Sequence, residues 1–167
     1  MKGRYFLLWL TLSALILLSG CSRITQGNDV YFAYRSTPFR AEIRGSLDGI
    51  AFSAEIGRET ADAPLYIRYL SPQAMQGILL YRNGDGKLFV EMDSLSYPLD
   101  DSMADGWLRP LKLLFEGTEI LNVQKENGSI RLNLPQGELR LMQEGYPLAL
   151  AGDGITLETV WWERAAK

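Results

Sequence analysis

At 167 residues with a formal net charge of −3 and no histidine, the chain is sized for one domain and lacks the basic balance that nucleic-acid binding rests on. Without histidine and with a single cysteine, it can build no Ser-His-Asp triad, no Cys-His pair, no zinc cluster and no intramolecular disulfide. Carboxylates, Lys, Tyr and Ser remain as catalysts, and the composition reads as that of a non-enzyme with no cofactor and no metal.

Lys2 and Arg4 open the chain and precede an apolar run from Tyr5 to Leu18. At about 14 residues that run is short of the ~20 that a membrane-spanning helix needs. Small residues, Ser19 and Gly20, follow it and lead to Cys21. Charge, then apolar run, then small residues is the order of an export signal. The segment Leu17-Leu18-Ser19-Gly20-Cys21 resembles the lipobox of bacterial lipoproteins. That resemblance implies a signal peptide over residues 1–20, cleavage before Cys21, and a diacylglycerol-type anchor on the Cys21 thiol. It implies an extracytoplasmic protein anchored to the cell membrane, or to the outer membrane of a diderm cell. An ordinary signal peptide or an uncleaved anchor, with a chance cysteine, is the other reading. Loss of Lys2 and Arg4 leaves roughly 150 residues, still one domain by size, and more acidic than the whole chain. Attachment would then depend on acyl chains rather than on a polybasic patch.

Residues 21–37 read as a lipidated terminus and polar tether, and residues 38–167 as the folded domain. Phe39, Ala41, Ile43, Gly45 and Leu47 alternate with Arg40, Glu42, Arg44 and Ser46, the pattern of a strand with one buried face. Asp48-Gly49 is a tight-turn pair, and Ile50, Phe52, Ala54 and Ile56 resume the alternation. Pro64 opens a strand over Leu65–Leu70, and a loop from Ser71 to Gly77 leads to another over Ile78–Arg82. Asn83-Gly84-Asp85-Gly86 turns into Lys87–Met92, and Leu95–Leu99 forms a short further strand.

The period then changes. Trp107, Leu108, Leu111, Leu114 and Phe115 make one apolar stripe of a helix. Asp105 reads as its cap, Pro110 as tolerable only near the first turn, and Gly117 as its stop. Alternation returns in Glu119–Gln124, Ser129–Leu134, Glu138–Gln143, Leu148–Ala151 and Ile155–Glu163, separated by Asn127-Gly128, Pro135-Gln136-Gly137, Gly145-Tyr146-Pro147 and Asp153-Gly154. One helix cannot cover an apolar face of about ten strands, so the sheet must curl. The expected fold is mainly β (α+β): a curled antiparallel sheet, or half-open β-barrel, with one covering helix.

Three short stretches, Phe39-Arg40-Ala41-Glu42-Ile43-Arg44-Gly45, Ser71-Pro72 with Gly77-Ile78, and Gly145-Tyr146-Pro147-Leu148, together with the order of elements, resemble the lipoprotein-carrier fold of LolA and LolB. The resemblance spans residues 38–163 and implies a half-barrel that binds an apolar ligand, a lipid or an acylated molecule. Similar clostridial proteins act in spore germination, which implies the alternative of an accessory protein that docks a protein partner.

Phe39, Ile43, Phe52, Ile56, Trp107, Leu111 and Phe115 line an apolar cavity if sheet and helix stand apart, and make a filled core if they meet. Trp161 and Trp162 point to opposite faces of their strand. The acids Asp93, Asp100, Asp101 and Asp105 have no calcium-loop spacing and read as caps and solvated side chains. Glu42, Glu55 and Glu91 become neighbours only if strand register brings them together.

Overall fold

The computed structural model describes residues 30–116 and 119–164. The signal run, Cys21, most of the tether and Gly117 lie outside the described residues. Eleven strands form one antiparallel sheet: β1 (Phe39–Leu47), β2 (Ile50–Arg58), β3 (Tyr66–Ser71), β4 (Leu79–Arg82), β5 (Leu88–Met92), β6 (Leu95–Pro98), β7 (Asn122–Glu126), β8 (Ser129–Leu134), β9 (Gly137–Met142), β10 (Pro147–Gly152) and β11 (Ile155–Arg164). The helix α1 (Asp101–Phe115) stands between β6 and β7.

The spatial order is β6-β5-β4-β3-β2-β1-β11-β10-β9-β8-β7. Each half is a plain meander, and the first and last strands meet in the middle, Phe39 opposite Arg164 and Leu47 opposite Ile155. The two edges are therefore β6 and β7, and α1 is the connection that carries the chain from one to the other. The sheet curls without closing, as its alternation requires: Phe39, Ala41, Ile43 and Leu47 are buried along β1 while Arg40 and Arg44 are exposed. Leu132, Leu139, Leu141, Leu150 and Ile155 extend the same inner face across the second half.

The turn pairs do what their residue types allow. Asp48 and Gly49 have φ of 49° and 83°, and Asp153 and Gly154 have 50° and 73°, the left-handed values of a two-residue hairpin. The backbone N–H of Asp48 donates to the carbonyl of Gly154 at 2.8 Å, so the two turns lie side by side at one end of the central strand pair.

The helix differs from its expected bounds. It starts at Asp101, with Asp100 rather than Asp105 as its cap, and the Asp100 carboxylate accepts from the backbone N–H of Ser102 at 2.9 Å. Pro110 consequently lies in the interior of the helix. Its missing N–H costs one ladder bond, while its ring is fully buried in the core, and that burial favours the longer helix. Leu108, Leu111, Leu113 and Leu114 are buried along the same element.

The packed structure also reaches further toward the N-terminus than Pro38. A strap, Tyr31–Thr37, contains a short 3-10 turn at Ala33–Ser36 and buries Phe32 and Tyr34 in the core.

Candidate functional site

The seven residues singled out from sequence come together on the inner face. Phe39, Ile43, Phe52, Ile56 and Leu111 are buried, and Trp107 and Phe115 are partly buried against them. Their rings meet one another and further aromatics. Phe39 stacks on Phe115 with ring centroids 5.3 Å apart and on Trp162 at 4.2 Å. Tyr34 meets Phe115 and Trp162 edge-on at 5.5 and 6.0 Å, and Tyr146 stacks on the far side of this group, 5.8 Å from Trp162. A second group joins Phe52 to Tyr69 at 5.9 Å and Tyr69 to Trp107 at 5.6 Å. Aromatic pairs at these separations stabilise by about 0.5–1.5 kcal/mol beyond their burial.

Polar bonds fix α1 over this interior at three places. The Tyr69 hydroxyl donates to the carbonyl of Trp107 at 2.7 Å. Arg109 donates through Nη1 to the Asp48 carboxylate at 3.2 Å and to the Asp153 carbonyl at 3.1 Å, tying the helix to both central turns. At the other end, the Tyr34 hydroxyl and Arg35 Nε both donate to the carbonyl of Leu114, the latter at 3.0 Å. That carbonyl belongs to the last helical turn, where carbonyls lack an intrahelical donor and the dipole favours a cation. Burial pushes the Tyr69 hydroxyl well above the ordinary tyrosine value. It also raises Tyr34, against the opposing effect of the neighbouring Arg35 guanidinium. Both hydroxyls stay protonated and able to donate.

The outer face carries what the sequence reading did not assemble. Over β1–β5 lies an open groove of about 570 Å³, walled by Arg40, Glu55, Arg58, Tyr66, Arg68, Leu79, Tyr81 and Glu91. Of the seven inner-face residues only Phe39 borders it. Strand register builds the groove: Glu55 stands opposite Arg68, Arg68 opposite Leu79, and Leu79 opposite Glu91, while Tyr66 stands opposite Tyr81. The only sign of it in the sequence is that each of these residues takes an outward position.

Glu55 anchors one end. Its carboxylate accepts from Arg40 Nη2 at 2.7 Å and from the Tyr66 hydroxyl at 3.0 Å. Burial first, then the hydrogen bond and charge of Glu55, raises the Tyr66 hydroxyl above its usual value. Gly57 makes this geometry feasible, since a Cβ there would sit 2.6 Å from the Tyr66 hydroxyl oxygen. Glu42 lies directly opposite Glu55, so register does bring two of the three acids together. They do not act as a pair, because Glu42 has its own partners: Arg44 Nη2 at 2.9 Å and Trp161 Nε1 at 3.1 Å. Trp161 is thus on the outer face and Trp162 on the inner one. Among the described residues no group of three acids or cysteines is placed to hold a metal ion.

Neither the protein-family models nor the curated proteins include a match to this chain. Solved structures do resemble it. An uncharacterized conserved protein from Thermus thermophilus superposes with a TM-score of 0.54 at 14% identity, covering 81% of this chain and 83% of that one. MucB superposes with a TM-score of 0.52 at 16% identity over 83% of this chain. The chain spans only 57% of the MucB chain. At such identities the likeness is one of fold. A looser likeness, with a TM-score of 0.43 at 11% identity, extends to a LolA superfamily protein from Nitrosomonas europaea.

Proposed function

We propose that this is an extracytoplasmic, non-catalytic binding protein, tethered through a lipidated Cys21, that docks a partner on its outer face. The observation that carries the reading is the occupied interior. Phe39, Phe115, Trp162, Tyr34 and Tyr146 contact ring to ring, and α1 is bonded down at Trp107, Arg109 and Leu114. An acyl chain would have to displace buried rings and break those bonds, each worth about 0.5–1.5 kcal/mol net. In this reading the seven inner-face residues are core, and the accessible recognition surface is the groove over β1–β5.

A fluorescent fatty acid titrated into the purified, detergent-free protein carrying Cys21→Ser tests it. The reading predicts no saturable uptake and no change in tryptophan emission. Uptake at one molecule per protein, abolished by substitution of Trp107, would establish the carrier function instead.

A further inference from the structure

Resting on the outer-face reading, we propose that the groove over β1–β5 holds an extended peptide segment of a partner protein, with an apolar residue between an acidic and a basic one. The groups left unmatched in the groove point to this ligand. Glu55 is already matched by Arg40 and Tyr66, and Tyr81 is held by Ser96 at 3.2 Å and stacked on Phe89. Arg68, Glu91 and, beyond the far end of β2, Glu59 have no partner among the described residues, while Arg58 donates through Nη1 to the carbonyls of Arg35 and Ala61 at 2.9 and 3.2 Å. Across β3–β5 the free groups are therefore the cation of Arg68 on one side of Leu79 and the carboxylate of Glu91 on the other.

Their spacing sets the pattern of the ligand. Arg68 and Glu91 flank Leu79 in the register, two strands apart. Adjacent strands are about 4.8 Å apart, so the two attachment points are about 10 Å apart. Side chains of an extended chain alternate, so residues i, i+2 and i+4 share the face toward the groove. The ~13 Å from i to i+4, at ~3.3 Å per residue, is within reach of the long Arg68 and Glu91 side chains. Between them Tyr66, Leu79 and Tyr81 offer apolar ground for one side chain. A volume of about 570 Å³ falls in the ordinary range for a ligand site. Ligands of a single sign fit poorly: a polyanion meets Glu59 and Glu91, and a polycation meets Arg68. The backbone under the groove is already paired in the β1–β5 ladders, so recognition is by side chains and not by an added strand.

The test is fluorescence anisotropy with the full chain in dodecylmaltoside and a labelled, end-blocked peptide Gly-Glu-Ala-Leu-Ala-Lys-Gly. Two single-sign versions, with Glu for Lys and with Lys for Glu, serve as comparison. Saturable binding is expected, weakened at least tenfold for either single-sign peptide and at least tenfold by Arg68→Glu or by Glu91→Lys. Both substitutions lie on the outer face and should leave the melting temperature unchanged. Gly57→Ala, which displaces Tyr66, should also weaken binding. Equal affinity for the three peptides, or none for any, overturns the proposal, as does binding that survives both charge reversals. Displacement of the label by phosphocholine but not by unlabelled peptide would assign the groove to a zwitterionic headgroup and overturn it too. No peptide binding together with no fatty-acid uptake removes the peptide and leaves the outer-face reading standing, whereas fatty-acid uptake removes that reading itself.

Discussion

The hydroxyl of Tyr34 donates to the carbonyl of Leu114, joining the strap to the last turn of α1 across 80 residues of sequence. Arg35 shares the same acceptor and stacks its guanidinium 3.7 Å above the ring of Phe32. The strap is thereby built into the clamp that holds the helix. Removing the hydroxyl with Tyr34→Phe leaves the ring packing and one of two donors, so the cost should be about 1 kcal/mol. Denaturant melts read it directly, and an unchanged midpoint would mean that the strap does not hold the helix in solution.

Phe115 separates a filled interior from a hollow one. It contacts Phe39 and Tyr34 through its ring, and truncation of a core phenylalanine costs about 3–5 kcal/mol. Since Phe115 is only partly buried, Phe115→Ala is expected near the lower end, about 3 kcal/mol. A loss near zero in urea unfolding would describe a residue on the wall of an empty pocket.

Much of this fold is legible because each strand carries its own signal. The alternation of Phe39–Leu47 and the pairs Asp48-Gly49, Asn127-Gly128 and Asp153-Gly154 are local facts, and the curl follows from one apolar face with one helix to cover it. The turn at Asp93-Ser94, with φ of 49° and 68°, has no glycine to announce it. The helix starts earlier than its sequence suggests because Pro110 argues for a first-turn position, and only the buried surroundings of its ring show why the interior is tolerated. The strap has neither a period of two nor one of 3.6. The groove is invisible for a different reason: Tyr66, Arg68, Leu79, Tyr81 and Glu91 become neighbours through the pairing of β3, β4 and β5, and register is not written in any one of those strands.

Gly137 and Gly152 approach backbone to backbone where β9 meets β10. Both have φ of 150°, and a Cβ on Gly152 would lie 2.6 Å from the Cα of Gly137. Neither contact can be relieved by a side-chain rotation. Gly137→Ala and Gly152→Ala should each destabilise by about 1–3 kcal/mol, and the double variant by less than their sum because the clash is shared. Thermal melts that leave either variant at the parent midpoint would show that the second half of the sheet packs differently.

Alkaline pH should unfold the domain through its tyrosines. Tyr34, Tyr66 and Tyr69 all hold their protons above the usual tyrosine value, chiefly because they are buried. The unfolded chain releases those protons near pH ~10 while the fold retains them. Their contribution is thus complete below that pH and is lost as pH rises through the folded values. Stability measured by urea unfolding should fall steeply above pH ~10 and fall less steeply in Tyr69→Phe, if that variant folds; a flat profile in the parent contradicts the burial of these hydroxyls.

Native mass spectrometry of the detergent-extracted protein tests most directly whether the half-barrel is filled. The expected spectrum shows a covalent acyl mass that disappears with Cys21→Ser, and no further lipid on the folded species. One non-covalent lipid per protein, retained in the Cys21→Ser form and lost when Trp107 or Phe115 is replaced, would contradict the filled core and return the interior to a carrier.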